Sequence, residues 1–589
     1  MSHLITMELN PDAVKSASTS SFQDSVILGP SVLKHSLVWP SFVNSLPRLQ
    51  DPWSDAEAFE NMASKAEALY GVLSDSLISG LELRAKLNWP GRSWQILIDP
   101  WVRSFSFVFM EKLSKLELAI KTMNISTVSQ AAITFEPAED MHEWISQSLS
   151  GDMNVYLYQK IANDLGISAH PEALGMTDTK ASNSRPSTSS KFELARAVSK
   201  FFGWLGKRNK FFIYRSVLSL PKELLVNLWM RQVPSPRGFE DSLPEVKVDR
   251  RTRDALFNSC ASVLEPADRT PAVLSALRLA SELLPRAYFE GQRNLQALVR
   301  AKDWPERPKV IFDCNGYWAD DVFKEYCAER IAQGSKLLIG QHGGVMGTSR
   351  RNDQLTHQLE ISDAFLSWGW VLPDRQGILP VGMLKPIASV KASKKGSAIM
   401  PFLSLGSYPR TAASFPQGAE GLERYFLDQV EFLLGLEPRI RETIDLRLYM
   451  HDRGDKFVER LAEKGLTRIK PALRPLIRDL RGHRIAIVTY NSTTFLETLA
   501  CNFPTIAFWD PQVWSENEIA KDAFNLLRGA KILHDDPRSA SRHLTEIWDN
   551  TEDWWKSPEV QASRAEFAGE FAKPLSLRYL ANRLWEAAR

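Results

Sequence analysis

Short apolar runs, each closed by a polar residue or glycine, recur through the second half of the chain. They are "KFFIYRS" (210–216), "PKVIFDC" (308–314), "SKLLIGQ" (335–341) and "DAFLSWG" (363–369), followed by "IMPFLSLGSYP" (399–409), "DLRLYMH" (445–451), "HRIAIVTY" (483–490) and "PTIAFWD" (504–510). Segments with apolar residues at helical spacing separate them. A run that is apolar throughout suits a strand buried on both faces, and strands alternating with helices predict parallel βαβ units. The fold class expected is therefore α/β, with two doubly wound domains.

Ahead of these runs the pattern differs. "SVILGP" (25–30) reads as a first buried strand ended by Gly-Pro, behind a polar leader over 1–24 expected to be flexible. Residues 55–165, including "AEAFENMASKAEALYGVLSDSL", show helical periodicity and predict a helical insert. A Ser/Thr/Pro-rich stretch over 169–191 has too few large apolar groups to pack and predicts a disordered surface loop. "KPIASVKASKKGSA" (385–398) is expected to link an N-terminal domain (25–384) to a C-terminal one (399–589) that ends in helices rich in Trp, Phe and Leu.

At 589 residues the chain exceeds what one core holds, in keeping with two domains. Lys and Arg total 72 against 70 Asp and Glu, so no general attraction to nucleic acid or to an anionic membrane is expected, and any anion must be met locally. The four cysteines are widely spaced without a CxxC pair, which suits a reducing, cytoplasmic setting. No apolar stretch approaches the ~20 residues of a membrane span; contact with the inner face of a membrane, where a lipid-linked substrate would sit, stays open.

Chemistry concentrates where strands end. His342, in "LLIGQHGGVMG", follows an apolar strand at its carboxyl end, where open α/β sheets bind ligands, and Gly343 and Gly344 permit close approach. Gly-Gly can equally make a simple turn. Downstream, Glu360 and Asp363 are candidate acids or bases beside the imidazole, although the same spacing occurs on solvated helix faces. Asp320 and Asp321 open a helix and can serve either catalysis or the helix dipole. His357 and Glu360 lack the HExxH spacing of a metal-binding helix, so no metal is expected. In the C-terminal half a strand runs into Tyr490, Asn491, Ser492, Thr493 and Thr494 before a helix begins, a polar cap suited to phosphate, with Glu497 placed to accept from a ribose. Arg453, in "MHDRGDKF", is a candidate countercharge or an exposed ion-pair partner.

The segments "GSKLLIGQHGGVMG", "EISDAFLSWGW", "YNSTTFLETLACNFPTIAFWDP" and "LNWPGRSWQILIDPWV" resemble a bacterial family of transferases from O-antigen and surface-polysaccharide gene clusters, over residues 25 to the end. More remotely, that family is similar to GT-B Kdo transferases that use CMP-ulosonic acids. The resemblance implies a GT-B-like pair of Rossmann-like domains across a cleft and a glycosyltransferase whose substrates are a nucleotide sugar, CMP-Kdo or a relative, and a glycan or lipid-linked glycan, without a further cofactor. It places Asn491, Ser492, Thr493, Thr494 and Glu497 on the nucleotide and Gln341, His342, Gly343 and Gly344 around the sugar. Asn88, Trp94 and Trp101 fall on the acceptor side or in the packing. Asp99 stands where the family pattern has glycine. The alternatives are a nucleotide- or glycan-binding scaffold and a GT-B-like epimerase or hydrolase.

Overall fold

The computed structural model describes residues 2–6, 14, 22, 24–29, 41–49, 56–130, 135–171, 205–234, 243–403, 409–413, 418–449 and 456–589. Among the described residues there are three sheets, all parallel. The first has the order β2-β1-β3-β4, built from β1 (Ser2–Ile5), β2 (Ser25–Ile27), β3 (Ile125–Gln130) and β4 (Ser168–Pro171). The second runs in sequence order through β5 (Phe211–Ile213), β6 (Val310–Asp313), β7 (Lys336–Gly340), β8 (Ala364–Ser367) and β9 (Ile378–Pro380). The third comprises β10 (Ser397–Pro401), β11 (Ile444–Leu448), β12 (Ile469–Pro471), β13 (His483–Val488), β14 (Thr505–Phe508) and β15 (Leu533–His534), in the order β12-β11-β10-β13-β14-β15.

The α/β reading holds, with a different division of the N-terminal half. The leader is not wholly loose, because Ser2–Ile5 forms β1 and pairs with β2 and β3. The expected helical insert is instead the crossover material of this first sheet, since β3 lies within it. Most of the Ser-rich stretch falls outside the described residues.

Two long helices, α1 (Ala56–Ala85) and α2 (Gly91–Met123), join the first and second sheets. Nearly all of α2 is buried, including charged positions. Glu111 there accepts from Lys112 and Lys115, each at 2.9 Å, and all three are buried. Buried charges are tolerated only as such closed sets. The remaining helices used below are α3 (Leu220–Trp229), α4 (Asp321–Ala332), α5 (Asp353–Ile361), α6 (Thr493–Ala500), α7 (Pro558–Phe571) and α8 (Leu577–Ala587).

The last two helices return to the second sheet. Lys573 donates its N–H to the Trp368 carbonyl at 2.9 Å, and α8 packs Leu580 and Leu584 against the core of β5 and β6. Gly369, at φ 143°, allows this approach, because a Cβ there would stand 2.4 Å from the Glu570 carbonyl.

Candidate functional site

The third sheet carries the strand order 3-2-1-4-5-6 when its strands are counted along the chain, so its connections reverse direction between β10 and β13. Ligands of such sheets bind outside the carboxyl ends of the strands at that reversal. The polar run at the end of β13 leads into α6 at this point. Ser492 is the N-cap residue but makes no side-chain cap hydrogen bond, which leaves the first N–H groups of α6 without the usual hydroxyl acceptor. Ser492, Thr493 and Thr494 keep partial solvent access, whereas Asn491 is fully buried.

The loop after β7 meets this cap directly. Gly344 donates its N–H to Thr493 Oγ1 at 2.9 Å, and Thr348 donates to Asn491 Oδ1 at 3.0 Å. A Cβ on Gly344 would stand 2.5 Å from Thr493 N and 2.6 Å from Ser492 C, so glycine is required there by the backbone of α6. On Gly343 the nearest atom would be Thr493 Oγ1 at 3.9 Å, an ordinary contact. The space cleared by Gly344 is thus taken by the other sheet. Beyond it, Arg350 and Asn517 continue the same seam through backbone bonds to Ser515 and Thr348 at 3.0 Å each.

Gln341 was expected beside the sugar, and the structure gives it another task. Its Nε2 donates to the carbonyls of Gly343 (2.8 Å) and Met346 (3.2 Å), while its Oε1 accepts from Trp368 N (2.8 Å) and Trp370 Nε1 (2.9 Å). Fully buried and fully engaged, it fixes the loop and has no group left for a ligand.

His342 differs. Its Nδ1 has no protein partner. Burial first, and then the Lys385 charge, press its pKa down to about 4, so the imidazole is neutral at physiological pH and presents a lone pair. Tyr317 lies beside it, with ring centroids 6.4 Å apart, and Tyr317 in turn is 6.1 Å from the ring of His357. The Tyr317 hydroxyl and both His357 nitrogens are buried without protein partners. Asp313, whose pKa burial raises to about 7, accepts from the N–H groups of Gly316 (2.9 Å) and Tyr317 (3.0 Å) and so fixes the turn that carries Tyr317.

Lys385 is the cation of the site. It follows β9, on the carboxyl side of the second sheet, and its Nζ lies 2.8 Å from Glu497 Oε1 on α6. Glu497 is thereby an ion-pair partner. Lys385 escaped notice in sequence because it opens what reads as a linker, and its neighbours "PIASVK" carry no signal of their own.

The four candidate carboxylates are all engaged elsewhere. Asp363 precedes β8, and its N–H bonds to the Leu337 carbonyl at 2.7 Å. In a parallel sheet that sets it at the amino ends of the strands, five positions before His342 and roughly 16 Å along the strand at ~3.3 Å per residue. There it takes both arms of Arg92, at 3.1 and 2.6 Å. Glu360 sits in the last turn of α5, paired with the buried Arg103. Asp320 caps α4 and accepts from Tyr214 (2.6 Å) and Arg215 (3.0 Å). Asp321, buried, accepts from Tyr288 (2.8 Å), Met141 N (2.8 Å) and Lys324 (2.6 Å). None of the four is shown beside His342.

Two acceptor-side expectations also move. Trp101 is fully buried, stacked on Phe105 at 5.1 Å and edge-on to Trp144 at 5.6 Å, so it packs the core. Asn88 is exposed at φ 52° in the turn between α1 and α2, beside Arg92 and hence toward the amino ends of the second sheet. Asp99, where glycine was expected, is buried and accepts from Tyr70 (2.5 Å) and Ser74 (2.8 Å), tying α2 to α1. Arg453 lies outside the described residues. Among the described residues no cluster of potential metal ligands occurs.

Several solved structures share slight likeness with this architecture. The wall teichoic acid polymerase TagF, in a structure with CDPG, is 10% identical, covering 68% of this chain and 95% of its own at a TM-score of 0.30. An E. coli structure titled trehalose-6-phosphate bound with UDP-2-fluoro glucose is 13% identical over 64% and 98%, at 0.33. WaaG, described as a glycosyltransferase involved in lipopolysaccharide biosynthesis, is 14% identical over 52% and 81%, at 0.25. No curated protein matches the sequence. The family model described as LIC12162 family transferase matches residues 7–585, and the chain belongs to that transferase family.

Proposed function

We propose that the protein is a GT-B-type glycosyltransferase that moves a sugar from a nucleotide donor to a surface-polysaccharide or O-antigen acceptor at the cytoplasmic face of the membrane, with CMP-Kdo or another CMP-ulosonate as donor. The observation that supports the reading is the contact of Gly344 with Thr493, which sets the loop carrying the neutral His342 against the start of α6. In this mechanism the donor phosphate lies at the N-terminus of α6, within reach of Ser492, Thr493, Thr494 and Lys385. The half-exposed His342 imidazole takes the proton of an acceptor hydroxyl as its oxygen bonds to the anomeric carbon. The bond from that carbon to phosphate breaks, and the α6 N–H groups and Lys385 meet the charge that develops on the leaving nucleotide.

A thermal-shift screen over CMP, UDP, GDP and their sugars tests the donor, because a ligand that binds only the folded state raises the melting temperature by mass action. CMP and CMP-Kdo should give the largest shift. A larger shift with UDP or GDP would replace the donor and keep the reaction class, while unchanged turnover in His342→Asn would remove the base.

A further inference from the structure

Helix α3 keeps most of its leucines outside. It buries Val226 against the core together with Glu223 and Asn227, while Leu220, Leu224, Leu225 and Leu228 are 54%, 44%, 36% and 70% exposed. At 100° per residue the four leucines share the outer half of the helix, while Trp229 packs against the core beside β5, and the inward polar residues are satisfied locally. Glu223 accepts from Ser216 at 2.7 Å, and Asn227 accepts from Gln232 and donates to the Glu223 carbonyl, both at 2.9 Å. Soluble helices bury the opposite set, so this outer face is arranged for an apolar contact.

The charge around it is one-sided. Residues 205–234 hold six cations (Lys207, Arg208, Lys210, Arg215, Lys222, Arg231) and one acid, the buried Glu223, in a chain that is otherwise balanced at 72 to 70. Arg208 and Lys210 flank the C-terminal end of α3, because Phe211 N bonds to Gln232 Oε1 at 3.2 Å and Asn209 Nδ2 to the Val233 carbonyl at 2.7 Å. Arg208, Lys210 and Arg231 are exposed. Of the six cations, Lys207 pairs with Asp303 and Arg215 with Asp320; a leucine face bordered by the exposed Arg208, Lys210 and Arg231 matches an anionic bilayer surface, where the apolar side chains enter the headgroup boundary and the cations meet lipid phosphates. Among the described residues no helix is long and apolar enough to cross a membrane.

We propose that α3 docks the protein on an anionic lipid bilayer through Leu220, Leu224, Leu225 and Leu228, with Arg208, Lys210 and Arg231 on the headgroups. The docking stands independently of the transfer chemistry. It also serves it, since α3 starts at the carboxyl edge of the sheet that carries His342 and would bring a lipid-carried acceptor to that edge.

The test is co-sedimentation of the full chain with mixed phosphatidylethanolamine/phosphatidylglycerol vesicles, against phosphatidylcholine alone. Binding should favour the anionic vesicles and weaken as sodium chloride is raised. Leu224→Ser with Leu228→Ser should lower partitioning at least about tenfold, and Arg208→Glu with Lys210→Glu about thirtyfold or more at low salt, from ~1 kcal/mol per surface cation. Leu224→Phe with Leu228→Phe, which keeps the face apolar, should retain binding. Absence of binding to the anionic vesicles, or binding indifferent to the serine pair, overturns the proposal. So does sedimentation equilibrium showing a dimer that the serine pair dissolves in a protein that leaves vesicles alone, since the face is then a contact between copies.

Discussion

Gly344→Ala is the most direct probe of the crevice. The added methyl would lie 2.5 Å from Thr493 N and 2.6 Å from both Ser492 C and Thr493 Cα, all backbone atoms of a helix start that cannot rotate away. Ordinary contact begins near 3.4 Å, so the β7 loop and α6 must part by nearly 1 Å. That separation stretches the 2.9 Å bond from Gly344 N to Thr493 Oγ1 beyond hydrogen-bonding range. Overpacking of this kind costs about 1–3 kcal/mol, and the lost bond adds about 1 kcal/mol. We expect a total near 3 kcal/mol, and a loss of turnover of about a hundredfold, because a 1 Å misplacement of reacting groups has that effect.

Gly343→Ala supplies the internal comparison, since its methyl meets nothing closer than 3.9 Å. Denaturant unfolding measures the stability difference, and product formation from the donor found by thermal shift measures the catalytic one. Equal midpoints for the two variants, or full turnover in Gly344→Ala, would refute the claim that the two sheets meet at this glycine.

Three further outcomes follow from the same geometry. His342 has a folded pKa near 4 against an unfolded value of 6.5, so the unfolded chain binds the extra proton between those values; stability falls as pH drops from about 6.5 to 4, and urea midpoints for His342→Asn should lack up to ~1.4 kcal/mol per pH unit of that slope. Asp363→Asn breaks the Arg92 fork at the amino ends of the strands, so it should cost at most about 1 kcal/mol in a melting experiment and leave kcat within about twofold; a hundredfold loss of kcat would return Asp363 to the chemistry. Glu111→Gln strands Lys112 and Lys115 in the interior and should destabilise by about 3–5 kcal/mol, read as a fall in urea midpoint, whereas an unchanged midpoint would show that the triad is hydrated.

Four strands each of the second and third sheets were legible because strands buried on both faces leave uninterrupted apolar runs, as in "VIFD" and "KLLIG", whereas the short β9, β12 and β15 leave none. Of the first sheet only β2, within "SVILGP", was. Its strands "SHLI" and "SAHP" are short and polar enough to pass for leader and loop. That the His342 loop and the cap after Asn491 each end a strand could be read from the sequence, but they belong to different sheets, and their meeting was anticipated only from the resemblance, which implies two domains across a cleft. The gathering of carboxyl ends on one side of a parallel sheet decided the carboxylates: Asp363 stands before its strand and His342 after the neighbouring one, so closeness in sequence became distance along the sheet. Lys385, Tyr317 and His357 were missed for a different reason, because each acquires its setting only when separate strands are brought side by side. The buried Glu111 triad lies in "MEKLSKLE", which reads as a solvated helix face; only the packing of α2 between α1 and α4 puts it inside.

Among the described residues no carboxylate is hydrogen-bonded to His342, which has a kinetic consequence. An imidazole held near pKa 4 by burial is correctly ionised at neutral pH, yet it is a weaker base than one poised near 7. Proton removal from the acceptor then contributes less of the rate, and stabilisation of the leaving phosphate contributes more. The order of the two terms can be measured. Lys385→Met removes the cation facing α6 and leaves Glu497 unpaired, which adds a negative charge where the phosphate develops one. The loss in kcat should reach about a hundredfold to a thousandfold, the range found for a single oxyanion donor, while His342→Asn should fall nearer the lower end of the ~10²–10⁴ expected of a general base. Lys385→Met with Glu497→Gln should recover part of the loss by removing the stranded carboxylate. If the single Lys385 variant retains kcat and only the His342 variant fails, proton transfer governs the rate and the phosphate lies away from α6.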